Sequence, residues 1–190
     1  MNVFGLALVA FLILNSCNGP TGPPTPPPVT QNLTVTRFTN TPLTNARAYA
    51  ILVDATNALQ VNDGPGDVAC AVGLVRQGDV TTFATGDGSI DSQAEFTTVV
   101  INPPGNVKVV NAINWCGGLA PNIIGCAPVP GNALAVVRFT ANQEGILWAH
   151  EYGHNKGLNH RTDDQNVIMF PSIATNRLRV NQAECDAYRN

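Results

Sequence analysis

All three histidines of this 190-residue chain fall in one run, His150-Glu151-Tyr152-Gly153-His154-Asn155-Lys156-Gly157-Leu158-Asn159-His160. The spacing H-E-x-x-H-x-x-G-x-x-H constrains the fold, because it makes chemical sense only if the first half is helical and the second half turns back. On an α-helix, residues four apart stand one above the other, so His150 and His154 can grip one ion. Glu151 is rotated by about 100° from His150 at roughly 3.6 residues per turn, which aims it beside the ion rather than at it. That is the position of a base, not of a ligand. A third ligand on the same straight helix would diverge, so the chain has to turn sharply after His154. Gly157 permits the turn by taking positive φ without a Cβ clash.

Three neutral imidazoles leave one tetrahedral position of a zinc ion open, which separates a catalytic site from a closed structural one. Zinc lowers the pKa of a water in that position towards about 7, and Glu151 is placed to take its proton during attack on a carbonyl. The bland alternative is an exposed helix that happens to carry histidines. It needs every fixed position of the motif to coincide in a chain with no histidine elsewhere.

With this run the sequence resembles the metzincin metallopeptidases, and the resemblance implies a methionine in a tight turn beneath the metal. Apart from Met1 the chain has one methionine, Met169, in Asn166-Val167-Ile168-Met169-Phe170-Pro171-Ser172. Met, an aromatic, Pro and Ser at this distance from the third histidine are most similar to the matrixin branch. The matrixin resemblance further implies that Ile123-Ile124-Gly125-Cys126-Ala127-Pro128-Val129-Pro130-Gly131 is an edge strand and its following turn. Substrate would pair there in extended form past Ile124, since an edge has unpaired backbone groups. It also implies that Pro171, Ser172 and Ile173 form the outer wall of the pocket for the side chain after the scissile bond.

Several positions depart from the family pattern. Ile173 stands where a matrixin usually has tyrosine, and Cys126 where those enzymes often have a histidine for a second zinc. With all histidines in one run, a histidine-built structural zinc site is excluded, and one zinc per chain is expected. No Pro-Arg-Cys-Gly segment is present, so cysteine-switch latency is not expected. Phe170-Pro171 occupy the place where astacin-like and serralysin-like relatives carry a tyrosine, and Tyr152 is expected to pack rather than react.

The apolar run from Val3 to Leu14 is too short to span a bilayer as a mature helix and suits the core of a signal peptide, residues 1–16. Leu14-Asn15-Ser16-Cys17 resembles a bacterial lipobox, which would make Cys17 a lipidation site; an ordinary secretory signal is the alternative. Residues 17–31 are rich in Pro and Gly and carry no charge, as in a semi-rigid tether. Residues 32–190 have the length and apolar content of a single domain. The expected location is outside the cytoplasm, as a cell-envelope lipoprotein or a secreted protein. A net charge of -3 with ten basic residues argues against nucleic acid as partner. Oligomeric state is not legible.

Setting Cys17 aside, Cys70, Cys116, Cys126 and Cys185 are an even number in an exported protein, which points to two disulfides and three pairings. The favoured pairing joins Cys116 to Cys126, stapling the Gly-rich loop before the edge strand, and Cys70 to Cys185, tying an early strand to the last helix. Free buried thiols are the alternative.

Periodicity predicts a helix from Thr44 or Asn45 to about Gln60, a helix from about Gln143 to Lys156, and one from about Asn181 to Tyr188. Strands are predicted at Leu33 to Phe38, Val68 to Val75, Val80 to Phe83, Val107 to Trp115, Ile123 to Ala127 and Leu134 to Phe139. The expected fold is α+β and zincin/metzincin-like: a twisted mixed five-stranded sheet with a backing helix, an active-site helix and a C-terminal helix. The resemblance supplies that topology. Gly86-Asp87-Gly88-Ser89-Ile90-Asp91-Ser92 offers two carboxylates to calcium, which needs about six to eight oxygens, so a solvated turn is the reading.

The function expected is a zinc-dependent endopeptidase acting on peptide or protein substrates, with His150, His154 and His160 holding the metal and Glu151 as general base. The alternatives are an aminopeptidase or narrow processing peptidase with the same site, or a non-catalytic zinc-binding surface lipoprotein.

Overall fold

Thr44 caps the first helix, α1 (Asn45–Leu59), by accepting from the amide of Arg47 at 3.1 Å. Ala48, Ile51, Leu52, Ala55 and Leu59 recur at helical spacing on one face and are all buried. The structure, a computed structural model, describes residues 27–190. The signal segment, Cys17 and the tether up to residue 26 lie outside the described residues.

The remaining elements are β1 (Val29–Leu33), β2 (Val35–Phe38), β3 (Val72–Arg76), β4 (Thr81–Phe83), β5 (Ser89–Ile90), α2 (Gln93–Phe96), β6 (Val107–Val110), β7 (Ala112–Trp115), β8 (Leu119–Ile123), β9 (Gly125–Cys126), β10 (Leu134–Val137), α3 (Glu144–Asn155) and α4 (Gln182–Arg189). The main sheet has five strands in the order β4-β2-β6-β10-β9. Its first four strands run parallel, and β9 lies antiparallel to β10 at the edge. A two-stranded sheet, β1-β3, and a three-stranded one, β5-β7-β8, complete an α+β architecture with a mixed sheet.

Two hydrophobic clusters hold it together. The larger packs α1, α3 and α4 residues against Val107, Val109, Leu134 and Val136. The smaller gathers Ile90, Phe96, Val99, Val100, Val110 and Ile113 with Cys126 and Ala135. The disulfides join Cys70 to Cys185 and Cys116 to Cys126, the favoured pairing. The first ties the approach to β3 to α4; the second staples the β7–β8 hairpin to β9.

The strands differ from expectation where the chain changes sheet. Val107–Trp115 is two strands rather than one: Asn111 breaks it, its amide donating to Gly88 and its side chain meeting Thr41, so β6 stays in the main sheet and β7 joins the small one. Leu33–Phe38 likewise divides, and β1 begins at Val29, before the domain boundary read at residue 32. Ile123–Ala127 splits into the end of β8 and the short β9. In the run expected from Val68, the strand β3 starts only at Val72. Gln93 to Ile101 is helical, α2 continuing as a wider turn over Thr97–Ile101, and had no predicted element.

Lys108, in the central strand β6, is 0 % exposed on the face away from the larger core, and its Nζ donates to the carbonyls of Pro103, at 2.8 Å, and Pro104. Burial pulls its pKa from 10.5 down to about 8. Between those values the unfolded chain holds a proton that the folded chain has shed, so stability should rise with pH across that window by up to ~3 kcal/mol. Chemical denaturation of wild type and Lys108→Met at several pH values checks this. The variant should lack the rise, and equal slopes in the two proteins would refute the account.

Candidate metal centre

Every residue of α3 is buried, because its apolar positions Ile146, Leu147, Trp148 and Ala149 enter the larger core while Glu144, His150, His154 and Asn155 find polar partners. Glu144 opens the helix at 1 % exposure, bonded to Arg47 at 2.7 Å, Arg138 at 2.5 Å and the amide of Phe139 at 3.2 Å. Burial pushes its pKa up, but the guanidinium bonds of Arg138 and Arg47 outweigh it and hold the carboxyl low. A carboxylate at this end also suits the helix dipole.

His150 and His154 lie one turn apart on α3, and Gly157, at φ 87°, turns the chain so that His160 comes back towards them. Nε2 of His160 stands 3.2 Å from Nε2 of His154 and 3.3 Å from Nε2 of His150. The other ring nitrogens are engaged: Nδ1 of His150 donates to the carbonyl of Ile168 and Nδ1 of His154 to that of Leu158, each at 2.7 Å. These bonds fix the tautomer, leaving the Nε2 lone pairs of both rings aimed at the common point. Burial lowers the pKa of all three rings, His150 to about 3, so they are neutral near pH 7.

This donor set fits zinc. Metal–nitrogen arms of about 2.0–2.1 Å in a tetrahedron have ends about 3.3–3.4 Å apart, close to the separations here. Lone pairs of neutral imidazole nitrogens converging at that spacing are suited to hold a cation between them. Among the described residues no other group of three or more such ligands comes together. In the run weighed for calcium and read as a solvated turn, Asp87 Oδ1 accepts from the amide of Ser89 and Asp91 Oδ1 from the Asn114 side chain.

Glu151 lies beside the imidazoles, 5 % exposed, with Oε2 buried and without a hydrogen-bond partner. Burial pushes its pKa up to about 8, and a cation among the imidazoles would favour the charged form. The carboxyl rests directly on Gly125. A Cβ at that position would meet Glu151 Oε1 and would lie 2.6 Å from its Cδ. Glycine in this strand therefore reflects close approach, the signal by which sequence reading could have found it.

Met169, 1 % exposed, lies beneath the helix, and Ile168 beside it supplies the carbonyl that orients His150. Tyr188, from α4, donates its hydroxyl to the carbonyl of Ala149 at 3.0 Å and reaches Met169 Sδ at 3.4 Å. Gly153 makes room for both: a Cβ there would lie 2.5 Å from Met169 Sδ and from Tyr188 Oη. Neither Tyr188 nor Gly153 was singled out from sequence. Tyr152 is 7 % exposed and stacks on Tyr188 at 6.4 Å, a packing role.

A cleft of about 690 Å³ runs over the three histidines and Glu151, and Ile124, Pro171, Ser172 and Ile173 all line it. Asn122, Phe139 and Leu147 line it too, as do both members of the Cys116–Cys126 disulfide. At the helix end, the Asn155 side chain donates to the carbonyls of Ala133, at 3.0 Å, and Pro128, at 3.3 Å, fastening α3 to the turn after β9.

In three dimensions the chain is similar to archaemetzincin from Methanopyrus kandleri, with a TM-score of 0.54 and 14% identity over 83% of this chain and 93% of that one. It is also similar to metalloproteinase-II from Bacteroides fragilis, with a TM-score of 0.53 and 11% identity over 87% of this chain and 54% of that one. At such identities the likeness is one of fold, the α+β zincin type. No protein-family profile matches the chain, and no curated protein matches it in sequence.

Proposed function

We propose that the protein is a zinc endopeptidase of matrixin-like type. The observation that carries this reading is the convergence of three neutral imidazoles beside a buried, unpartnered Glu151 oxygen in a peptide-sized cleft. A zinc ion held by His150, His154 and His160 would supply Lewis acidity for the attacking water and for the scissile carbonyl. Glu151 takes the proton of that water and hands it to the amine nitrogen as the C–N bond breaks. The run Met169-Phe170-Pro171-Ser172 supports the matrixin-like branch, and two disulfides support an exported protein, lipid-anchored through Cys17 or secreted.

Substrate would lie along β9. Ile124 O accepts from Val137 N, and Gly125 faces Val136 in the register, so Gly125 is in a non-hydrogen-bonded pair. Its own N–H and C=O therefore point to the open side of the edge strand, where an extended peptide adds as another strand. Internal cleavage is favoured over removal of terminal residues by the lining of the cleft. Among the described residues, Glu151 is the one acidic or basic residue lining it besides the histidines, a lining that offers no dedicated charge to a free α-amino or α-carboxyl group.

Metal removal tests the reading. Hydrolysis of a peptide mixture should vanish with a zinc chelator and return with about one equivalent of zinc, the cuts falling inside peptides. A protein that keeps full activity after metal stripping, or trims only ends, does not work in this way.

A further inference from the structure

Between the Met169 turn and α4 the chain leaves the interior, forms the outer wall of the cleft, and returns. Its base is fixed by backbone pairing: Ile168 N donates to Arg179 O at 3.0 Å, and Leu178 and Arg179 donate to Asn166 O at 2.8 and 2.9 Å. Above that base Pro171 and Ser172 are exposed, and Ile173 packs, partly buried, against the larger core. Asn176 bonds back to the base, its side-chain amide donating to Asn166 Oδ1 at 2.8 Å, and Arg177 ties the crest. Arg177 donates through Nη1 to the carbonyl of Ser172 and, at 2.6 Å, to its hydroxyl. Its Nε donates to the carbonyl of Gln165 at 3.1 Å, and its guanidinium carbon lies 4.3 Å from the centroid of the Phe170 ring. The foot, the start and the crest of the loop thus meet one planar cation, whose fork and flat face suit bonding and stacking at once.

We propose that Arg177 is the positioning residue of the pocket wall, and that through Ser172 and Ile173 it sets the discrimination among side chains that follow the scissile bond. The inference rests on the peptidase reading above. Arg177 meets no reacting group itself. Leu147 and Ile124 line the same cleft as Ser172 and Ile173, and a pocket whose wall is held in place separates a large apolar side chain from a small one. A wall free to move gives part of that difference away.

The test uses two peptides in which the scissile amide is replaced by a methylene-amine, identical except for leucine or alanine after that bond. Their affinities for zinc-loaded wild type, Arg177→Ala and Arg177→Lys are measured by calorimetry, with zinc content and amide exchange of residues 170–176 followed in parallel. The preference for leucine should fall about fivefold in Arg177→Ala. It should be partly restored by lysine, which keeps a donor for Ser172 but neither the fork nor the stack. Zinc content should stay at the wild-type level while exchange in the wall quickens. An unchanged preference in a folded Arg177→Ala protein overturns the proposal. So does a preference that falls only in step with zinc loss, which would assign Arg177 to the support of His150 through Ile168. Wild type that binds neither peptide has no such pocket, and the inference fails. Wild type that prefers the leucine peptide yet cleaves no ordinary peptide refutes the peptidase reading alone.

Discussion

Replacing Glu151 by glutamine is expected to lower kcat by about 10²–10⁴-fold while zinc stays bound. Glutamine has the same outline, so it can keep the seat on Gly125, where no Cβ stands in its way. What it loses is the capacity to take a proton. The metal ligands are untouched, because His150 is oriented by Ile168 and His154 by Leu158, not by Glu151. Zinc content and turnover measured on the same preparation separate the two functions. A variant that hydrolyses peptides at the wild-type rate would show that Glu151 is not the base, and one that has lost its zinc would show that Glu151 supports the metal.

The second large effect is expected from Gly153→Val, at a position that touches neither metal nor substrate. The new side chain would begin 2.5 Å from Met169 Sδ and Tyr188 Oη, both nearly without solvent contact and held on separate segments. Neither can retreat cheaply, so overpacking should cost about 1–3 kcal/mol and more if the Tyr188–Ala149 bond breaks. Pushing Met169 also moves Ile168, whose carbonyl sets the His150 ring, so zinc affinity should fall by about 10–100-fold. Thermal unfolding and a zinc competition titration read the two losses separately. Unchanged affinity would mean that the Met169 turn does not orient the first ligand.

The helices and the ligand run were legible in the sequence because their signals are local: Thr44 as a cap, apolar residues at helical spacing in α1, and the histidine spacing itself. What was not legible depended on distant chain. Asn111 ends one strand and starts another because Gly88 and Thr41 lie beside it, which no pattern within Val107–Trp115 reveals. The segment from Gln93 carries a usable start signal, Ser92 with Glu95 three residues on, and Ser92 does cap it. Its β-branched stretch Thr97-Thr98-Val99-Val100-Ile101 argues the other way, and burial of Phe96, Val99 and Val100 in the smaller cluster decides for the helix. In the candidate site, Tyr188 went unseen because its role needs α4 folded against α3, 39 residues away along the chain.

Both hydrophobic clusters reach the cleft, the larger through Leu147 and the smaller through Cys126. Met169 and the α3 neighbours of His150, Trp148 and Ala149, belong to the larger one, whereas Cys126, with Cys116 and Ile123 packed against it, belongs to the smaller. Substitutions in the smaller cluster should therefore act first on the β7–β8 hairpin, which contributes Ile123 to the cleft. Leu147, Ile124 and Ile173 have no such independence: they pack with the larger cluster that also holds Met169, so a change that resets the pocket there also loads the packing behind the histidines.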